Sequence, residues 1–308
     1  MKSILKSGAF LIVGALFLLP GCDYKKSLKK PGTLLIYYGY PSAINEGGDP
    51  VGDFSKYDYV ILGAGLEEET HDDYDETKII LSNAALKETL VFGYIDLGVT
   101  TLNHSMAEIK TRIQGWIDIG ATGIFFDNCG TDFGNTRSRQ NDAFESAHTK
   151  GLPVMANSWD PDDLFGSGDP TELTSSDFYL WESFQIKEGA FETEANWQAK
   201  QEKLSAYQKS IRFRILAVTT ASTYNETQFH YAWYSALLYE IEAVGWGEFN
   251  FSANPNPTAP WRNRPGEDLG SSWKSSVSEQ GTLFSRKSSN GRVEVDTDSH
   301  SSGFIPAP

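Results

Sequence analysis

Acidic side chains recur at one kind of position in this sequence, just beyond a short apolar run. Asp127 follows Gly123-Ile124-Phe125-Phe126, and Glu182 follows Phe178-Tyr179-Leu180-Trp181. Asp96 follows the run from Val91 to Ile95, and Glu248 lies just past Ala243-Val244-Gly245-Trp246. A charge at such a place must stand at the solvent end of its element or be paired, because burying it alone is prohibitive. Around these acids fall amides and aromatics: Tyr38, Tyr40, Asn128, Asn157, Trp159, Trp181 and Trp246. Histidine is missing from the same positions. A zinc hydrolase needs several His ligands, and phosphodiester cleavage wants Lys, Arg or His around the phosphate. What is present suits glycoside hydrolysis, in which one carboxyl protonates the leaving oxygen and a second attacks or activates water. Trp and Tyr faces stack on sugar rings, and Asn and Asp read the hydroxyls. No cofactor or metal is expected. The loop Asp160-Pro161-Asp162-Asp163 lacks the spacing of a calcium loop and reads as a capped turn.

Every one of these residues also has a plainer reading. Asp127 and Asp96 suit helix N-caps, Glu182 suits a structural ion pair, and any one of the tryptophans suits the core. The choice depends on the elements that carry them. Apolar, β-rich runs begin near Leu34, Tyr59, Val91, Gly123, Pro153, Phe178, Phe213 and Ala243. Amphipathic stretches separate them. Ser105 and Glu108 form a capping-box pair ahead of a stripe at Met106, Ile109, Ile113, Trp116 and Ile117. Similar stripes run through Trp197, Leu204, Tyr207 and Ile211, and through Phe229, Trp233, Ala236, Leu237 and Ile241. The helix signal is weakest between the first two strands. Near-continuous apolar strands with helices between them imply a parallel sheet buried on both faces. The expected fold is a (β/α)8 TIM barrel over residues 33–252, with chemistry at the C-terminal ends of the strands. An open doubly wound sheet is the runner-up, but Gly39-Tyr40-Pro41 is no phosphate-binding turn. Residues 253–308 open with Asn254-Pro255-Asn256-Pro257 and read as an extension packed on the barrel. Within it Thr282–Ser285 and Arg292–Val295 form a β-hairpin across Asn290-Gly291.

The chain has 308 residues and a net charge of −15, from 26 basic and 41 acidic residues. Nucleic acid, bound through clustered Lys and Arg, is therefore an unexpected partner. Two cysteines exclude a disulfide scaffold or a Cys-rich zinc module. Residues 1–21 read as a signal peptide, with Lys2 and Lys6 ahead of an apolar run from Ala9 to Leu19. The run ends in Leu19-Pro20-Gly21-Cys22, which resembles a bacterial lipobox with Cys22 as the lipidated residue. Residues 22–32 would be a tether. The expected location is the bacterial cell envelope, anchored to a membrane by lipid and facing the periplasm or the surface. A monomer is expected. Cys129 then has no intramolecular partner and reads as a small buried hydrophobe.

Two stretches carry a family resemblance: Gly93-Tyr94-Ile95-Asp96-Leu97-Gly98, and Gly120-Ala121-Thr122-Gly123-Ile124-Phe125-Phe126-Asp127-Asn128. They resemble the endo-α-1,4-polygalactosaminidase family of barrel glycosidases and the related spherulin-4 family. The resemblance covers residues 34–182. It places Asp127 at the family's strand-four Asp and Glu182 at its later Glu. Asn128 departs from the Asp-Glu ending of the spherulin-4 pattern and fits the polygalactosaminidase pattern. The resemblance implies hydrolysis of an α-linked amino-sugar polymer. The layout is also similar to that of barrel α-glycosidases with acids on strands four and six, which implies a retaining route with Asp127 as nucleophile and Glu182 as proton donor. Asn128 and Tyr38 are the expected donors that keep Asp127 ionised. A carboxyl separation near 5 Å would fit retention, and one near 9 Å inversion. Two other readings compete. One is a non-catalytic glycan-binding lipoprotein, which has no need of paired acids. The other is a metal-dependent lyase, which needs Asp96, Asp127 and Glu248 to converge.

Overall fold

The computed structural model describes residues 26–166, 168–248 and 258–308. Cys22 and the Asn254–Pro257 loop lie outside them. Eight parallel strands close into a barrel in sequence order, so the last pairs with the first. They are β1 (Gly32–Tyr37), β2 (Tyr59–Leu62), β3 (Leu90–Asp96) and β4 (Gly123–Asp127), then β5 (Val154–Asn157), β6 (Phe178–Trp181), β7 (Arg214–Ala221) and β8 (Ala243–Glu248). The helices are α1 (Pro50–Phe54), α2 (Tyr74–Leu81), α3 (Met106–Ile119), α4 (Arg137–His148), α5 (Asp162–Phe165), α6 (Glu194–Ile211) and α7 (Glu226–Leu238). The barrel expected from the strand pattern is therefore the barrel found. The weak first connection is a 3₁₀ turn (Pro41–Gly47) followed by the five-residue α1.

Alternation along each strand divides the apolar residues into two layers. Leu34, Tyr59, Phe92, Phe125, Met155 and Phe178 fill the barrel. Their sequence neighbours Val60, Val91, Ile124, Val154 and Tyr179 face the helices. α3 shows how the outer layer is built. Ser105 and Glu108 cap it reciprocally, and Ile109, Ile113 and Trp116 are buried. A Cβ at Gly93 would stand 2.0 Å from the Trp116 ring, so only glycine lets that indole lie flat on β3. The indole N–H then donates to the Tyr94 carbonyl (3.1 Å), which fixes the strand segment leading to Asp96.

The C-terminal hairpin expected from the sequence is the inner pair of a four-stranded antiparallel sheet. Its strands are β9 (Ser278–Gln280), β10 (Leu283–Lys287), β11 (Gly291–Asp296) and β12 (Ser301–Pro306). This sheet packs on α7 through β11 and β12. Arg286 locks it there, with one guanidinium nitrogen donating to the Leu238 carbonyl (2.9 Å) and the plane stacked on Trp273. A short pairing of Lys26–Ser27 with Ser272–Trp273 ties the start of the described chain to the same region.

Candidate active site

Asp127 is the last residue of β4, and the alternation that buries Phe125 points it into the barrel mouth. Its carboxylate accepts from the Tyr94 hydroxyl (3.0 Å) and from the Asn128 backbone N–H (2.8 Å). Asn128 sits in the left-handed region at φ 53°, a conformation asparagine tolerates better than most residues. Its side chain donates to Asp96 (3.1 Å), and its carbonyl accepts from Asn135 (2.5 Å). Asp96 is buried at the end of β3 and also accepts from the Gly98 N–H (2.7 Å) and the Thr101 hydroxyl (2.6 Å). Asp96 and Asn128 are thus at the mouth, beside Asp127, and engaged in holding two loops together.

Glu182 follows β6 with the parity of Phe178 and Leu180, and so also faces inward, one strand removed from β4. Between them Asn157 ends β5 and donates to the Leu180 carbonyl (3.3 Å). Burial and the Asp127 charge push the Glu182 carboxyl up to about 7, with the Lys200 ammonium pulling the other way. Burial also raises Asp127, but there the Asn128 N–H and the Tyr94 hydroxyl oppose the shift. The two tyrosines report the convergence. Tyr38 and Tyr94 meet edge to face with centroids 5.6 Å apart. Both hydroxyls are pushed above their ordinary range, first by burial and then by Asp127, with Glu182 adding to each.

The aromatic positions divide. Trp159, half exposed, and Tyr40 stand on the rim, Tyr40 with its ring edge against His71. Trp181 and Trp246 do not line the mouth. A strand that turns Glu182 inward must turn Trp181 outward, where it is 3% exposed and packs on Phe184. Trp246 likewise lies outside β8, against Tyr224 and Phe229. Glu248 shares that side and is held by Arg262. Asp96, Asp127 and Glu248 therefore do not converge as a metal-dependent lyase would need. Among the described residues no cluster of three or more metal-binding side chains occurs. Asp160 and Asp162 are bridged by Lys203 (3.0 and 2.7 Å). Cys129 is fully buried.

Two further residues of the site, Tyr94 and Lys200, stand apart from the strand-end acids, amides and aromatics that the sequence singled out. Tyr94 was legible in principle, because it lies two residues before Asp96 on the same strand face. Lys200 reaches the site from α6, and no spacing in the strands announces it. The resulting chemistry is a pair of buried carboxyls in unlike surroundings, Asp127 hydrogen-bonded twice and Glu182 raised by burial and the Asp127 charge, which is how acid and base roles are separated.

No protein-family profile matches the sequence, and no curated protein does. Solved structures do match. The glycoside hydrolase domain of PelA from Pseudomonas aeruginosa is 12% identical, with TM-score 0.49, over 75% of this chain and all of that one. Amy13B of Eubacterium rectale is 7% identical, with TM-score 0.49, over 73% of this chain and 67% of that one. The malate synthase of Haloferax volcanii is 8% identical, with TM-score 0.46, over 71% and 70%. These likenesses concern chain architecture alone and assign no reaction to this chain.

Proposed function

We propose that the protein is a glycoside hydrolase acting on a polysaccharide, with Glu182 as proton donor and Asp127 as nucleophile. The observation that carries this is the pairing itself. One inward carboxyl ends β4 and another follows β6, Glu182 feels the charge of Asp127, and Asp127 is hydrogen-bonded toward its ionised form. A carboxyl near 7 is a competent acid at neutral pH, and a carboxylate with two donors remains available to attack. A glycan-binding protein has no use for such a pair, since burying two like charges side by side is costly. The sequence resemblance described above supports an α-linked amino-sugar polymer as substrate and a retaining route. The test is incubation with a panel of amino-sugar and neutral polymers, following reducing ends. Release from none of them would remove the reading.

Tyr94→Phe tests the nucleophile's setting. Without the hydroxyl donor the Asp127 carboxyl rises further, so the acidic limb of the activity profile should move up by about one pH unit, with turnover falling about tenfold. A profile that stays in place would show that Tyr94 does not set the ionisation of Asp127.

We also propose that Cys22 carries lipid and holds the enzyme, as a monomer, at a membrane of the bacterial envelope. Two or more acyl chains anchor stably where one does not. Cys22→Ser should move the protein from the membrane to the soluble fraction. Unchanged fractionation would refute the anchor.

A further inference from the structure

We infer that Thr220 is a positioning residue for Glu182, its hydroxyl pinning the turn by which the chain leaves the acid. The inference rests on the reading of Glu182 as the proton donor. The ladder between β6 and β7 ends at Trp181 opposite Ala217, one residue before Glu182. On the other flank the pairing with β5 ends at Leu180 opposite Asn157, two residues before it. Beyond the acid the chain turns sharply. Ser183, Gln185 and Glu188 all take the left-handed conformation, at φ 54°, 63° and 50°. None is glycine or asparagine, and such backbone persists only where surrounding contacts over-determine it.

The end of β7 supplies those contacts. The Val218 carbonyl accepts from the Phe184 N–H (2.9 Å), and the Thr220 carbonyl from the Gly189 N–H (2.8 Å). Thr220 has the parity of Leu216 and Val218, which fill the barrel, so its side chain faces the mouth. Its hydroxyl shares a hydrogen bond with the Ser183 hydroxyl (3.0 Å) and accepts from the Glu188 N–H (3.1 Å). One side chain thus holds both the residue directly after the acid and the tip of the short hairpin, Ile186–Lys187 with Ala190–Phe191, that follows. Trp181 and Phe184 are each fixed to β7 by backbone pairing. A change of φ at Ser183 must then be taken up at Glu182 between them, which turns its carboxyl out of place. The neighbouring Thr219 is fully buried, but it faces outward with Ala217, and its hydroxyl has no partner among the described residues. Two adjacent hydroxyls on one strand therefore differ in that only Thr220 reaches the turn.

The first test is a titration independent of turnover. The full chain labelled with ¹³C at the glutamate carboxyl gives a Glu182 resonance, assigned by its loss in Glu182→Gln. Burial and Asp127 hold its midpoint up against the Lys200 ammonium, with the Tyr38 and Tyr94 hydroxyls also facing the acid. Thr220→Val keeps the shape and removes the hydroxyl, and the midpoint should fall by about one pH unit as the carboxyl turns toward water. It should stay in place in Thr219→Val and return in Thr220→Ser. An unmoved midpoint in Thr220→Val would overturn the inference. Should that variant fail to fold, Ser183→Ala removes the same hydroxyl pair from the other side, and an unmoved midpoint there is the overturning result. Kinetics give a second reading on a polymer that the wild type cleaves. In Thr220→Val, kcat/KM should fall about tenfold on the polymer and less than about twofold on a nitrophenyl glycoside of the same sugar, whose leaving group needs no proton. An equal loss on both would overturn the inference, because it would mark a general structural defect. Failure to cleave any glycan would remove the parent reading while leaving the titration readable.

Discussion

Asp127→Asn and Glu182→Gln should each lower turnover by a factor on the order of 10² or more, with the thermal melting curve unchanged. The two losses should differ in kind. Glu182→Gln removes the proton donor, so substrates whose leaving group needs no protonation should keep much of their rate. Asp127→Asn removes the attacking group and should slow all substrates alike. The wild-type rate should fall as pH rises through about 7, because that is where Glu182 loses its proton. This limb should vanish in Glu182→Gln. The anomeric form of the first product, read by proton NMR, decides between retention and inversion. Near-normal turnover in both variants would sink the assignment. Asp96 with Glu248 would not then be a ready alternative, since Asp96 is engaged by Gly98, Thr101 and Asn128 and Glu248 by Arg262.

The largest stability loss is expected at the opposite end of the barrel, in Asp177→Asn. Asp177 is fully buried and accepts from the Val154 N–H (2.8 Å), the Thr174 N–H (2.6 Å) and hydroxyl (2.9 Å). It also pairs with His148 Nε2 (3.0 Å). Val154 opens β5 and Asp177 precedes β6, so one carboxylate aligns the starts of the strands that carry Asn157 and Glu182. An amide in its place presents N–H groups to donors. The expected cost is about 3 kcal/mol or more, a fall in Tm of roughly 10 °C. The pH dependence should change as well. The hydrogen bond to Asp177 raises His148 above its usual 6.5 in the folded chain. The stability from that pairing is present in full below 6.5 and is lost as pH rises through the raised value. Asp177→Asn should flatten this slope in denaturant titrations run between pH 5 and 8. A Tm within 2 °C of wild type would show that the clamp contributes little.

The barrel was legible because its strands are buried on both faces and therefore read as unbroken apolar runs. The acids were legible because a carboxyl at the end of such a run has few places to go. What the residue types alone concealed was direction. Trp181 beside Glu182, and Trp246 two residues before Glu248, looked like platforms because they stood at strand ends. The period of two sends Trp181 away from the mouth once Glu182 faces in, and the inward Ala243 does the same to Trp246. Tyr94 follows from the rule that condemns Trp181, applied in the other direction. Lys200 does not follow from any such rule. A lysine on the apolar side of a helix reads as a break in the stripe, and only the rings of Trp159, Tyr179 and Trp181 around it show where the ammonium goes.

The pairing of Lys26–Ser27 with Ser272–Trp273 bears on how the protein would stand on a bilayer. Lys26 and Lys29 are ion-paired (both 2.6 Å) to Glu240 and Glu242, which lie just ahead of β8. That places the chain's exit at the base of the barrel, the end away from Asp127 and Glu182. With lipid on Cys22 as proposed, three residues lie between the anchor and Lys26, and the four steps along the chain reach at most about 14 Å. The barrel axis would then point outward from the membrane, its floor toward the lipid head groups and its mouth toward open solvent. A long polymer could approach such a mouth without being threaded between enzyme and bilayer.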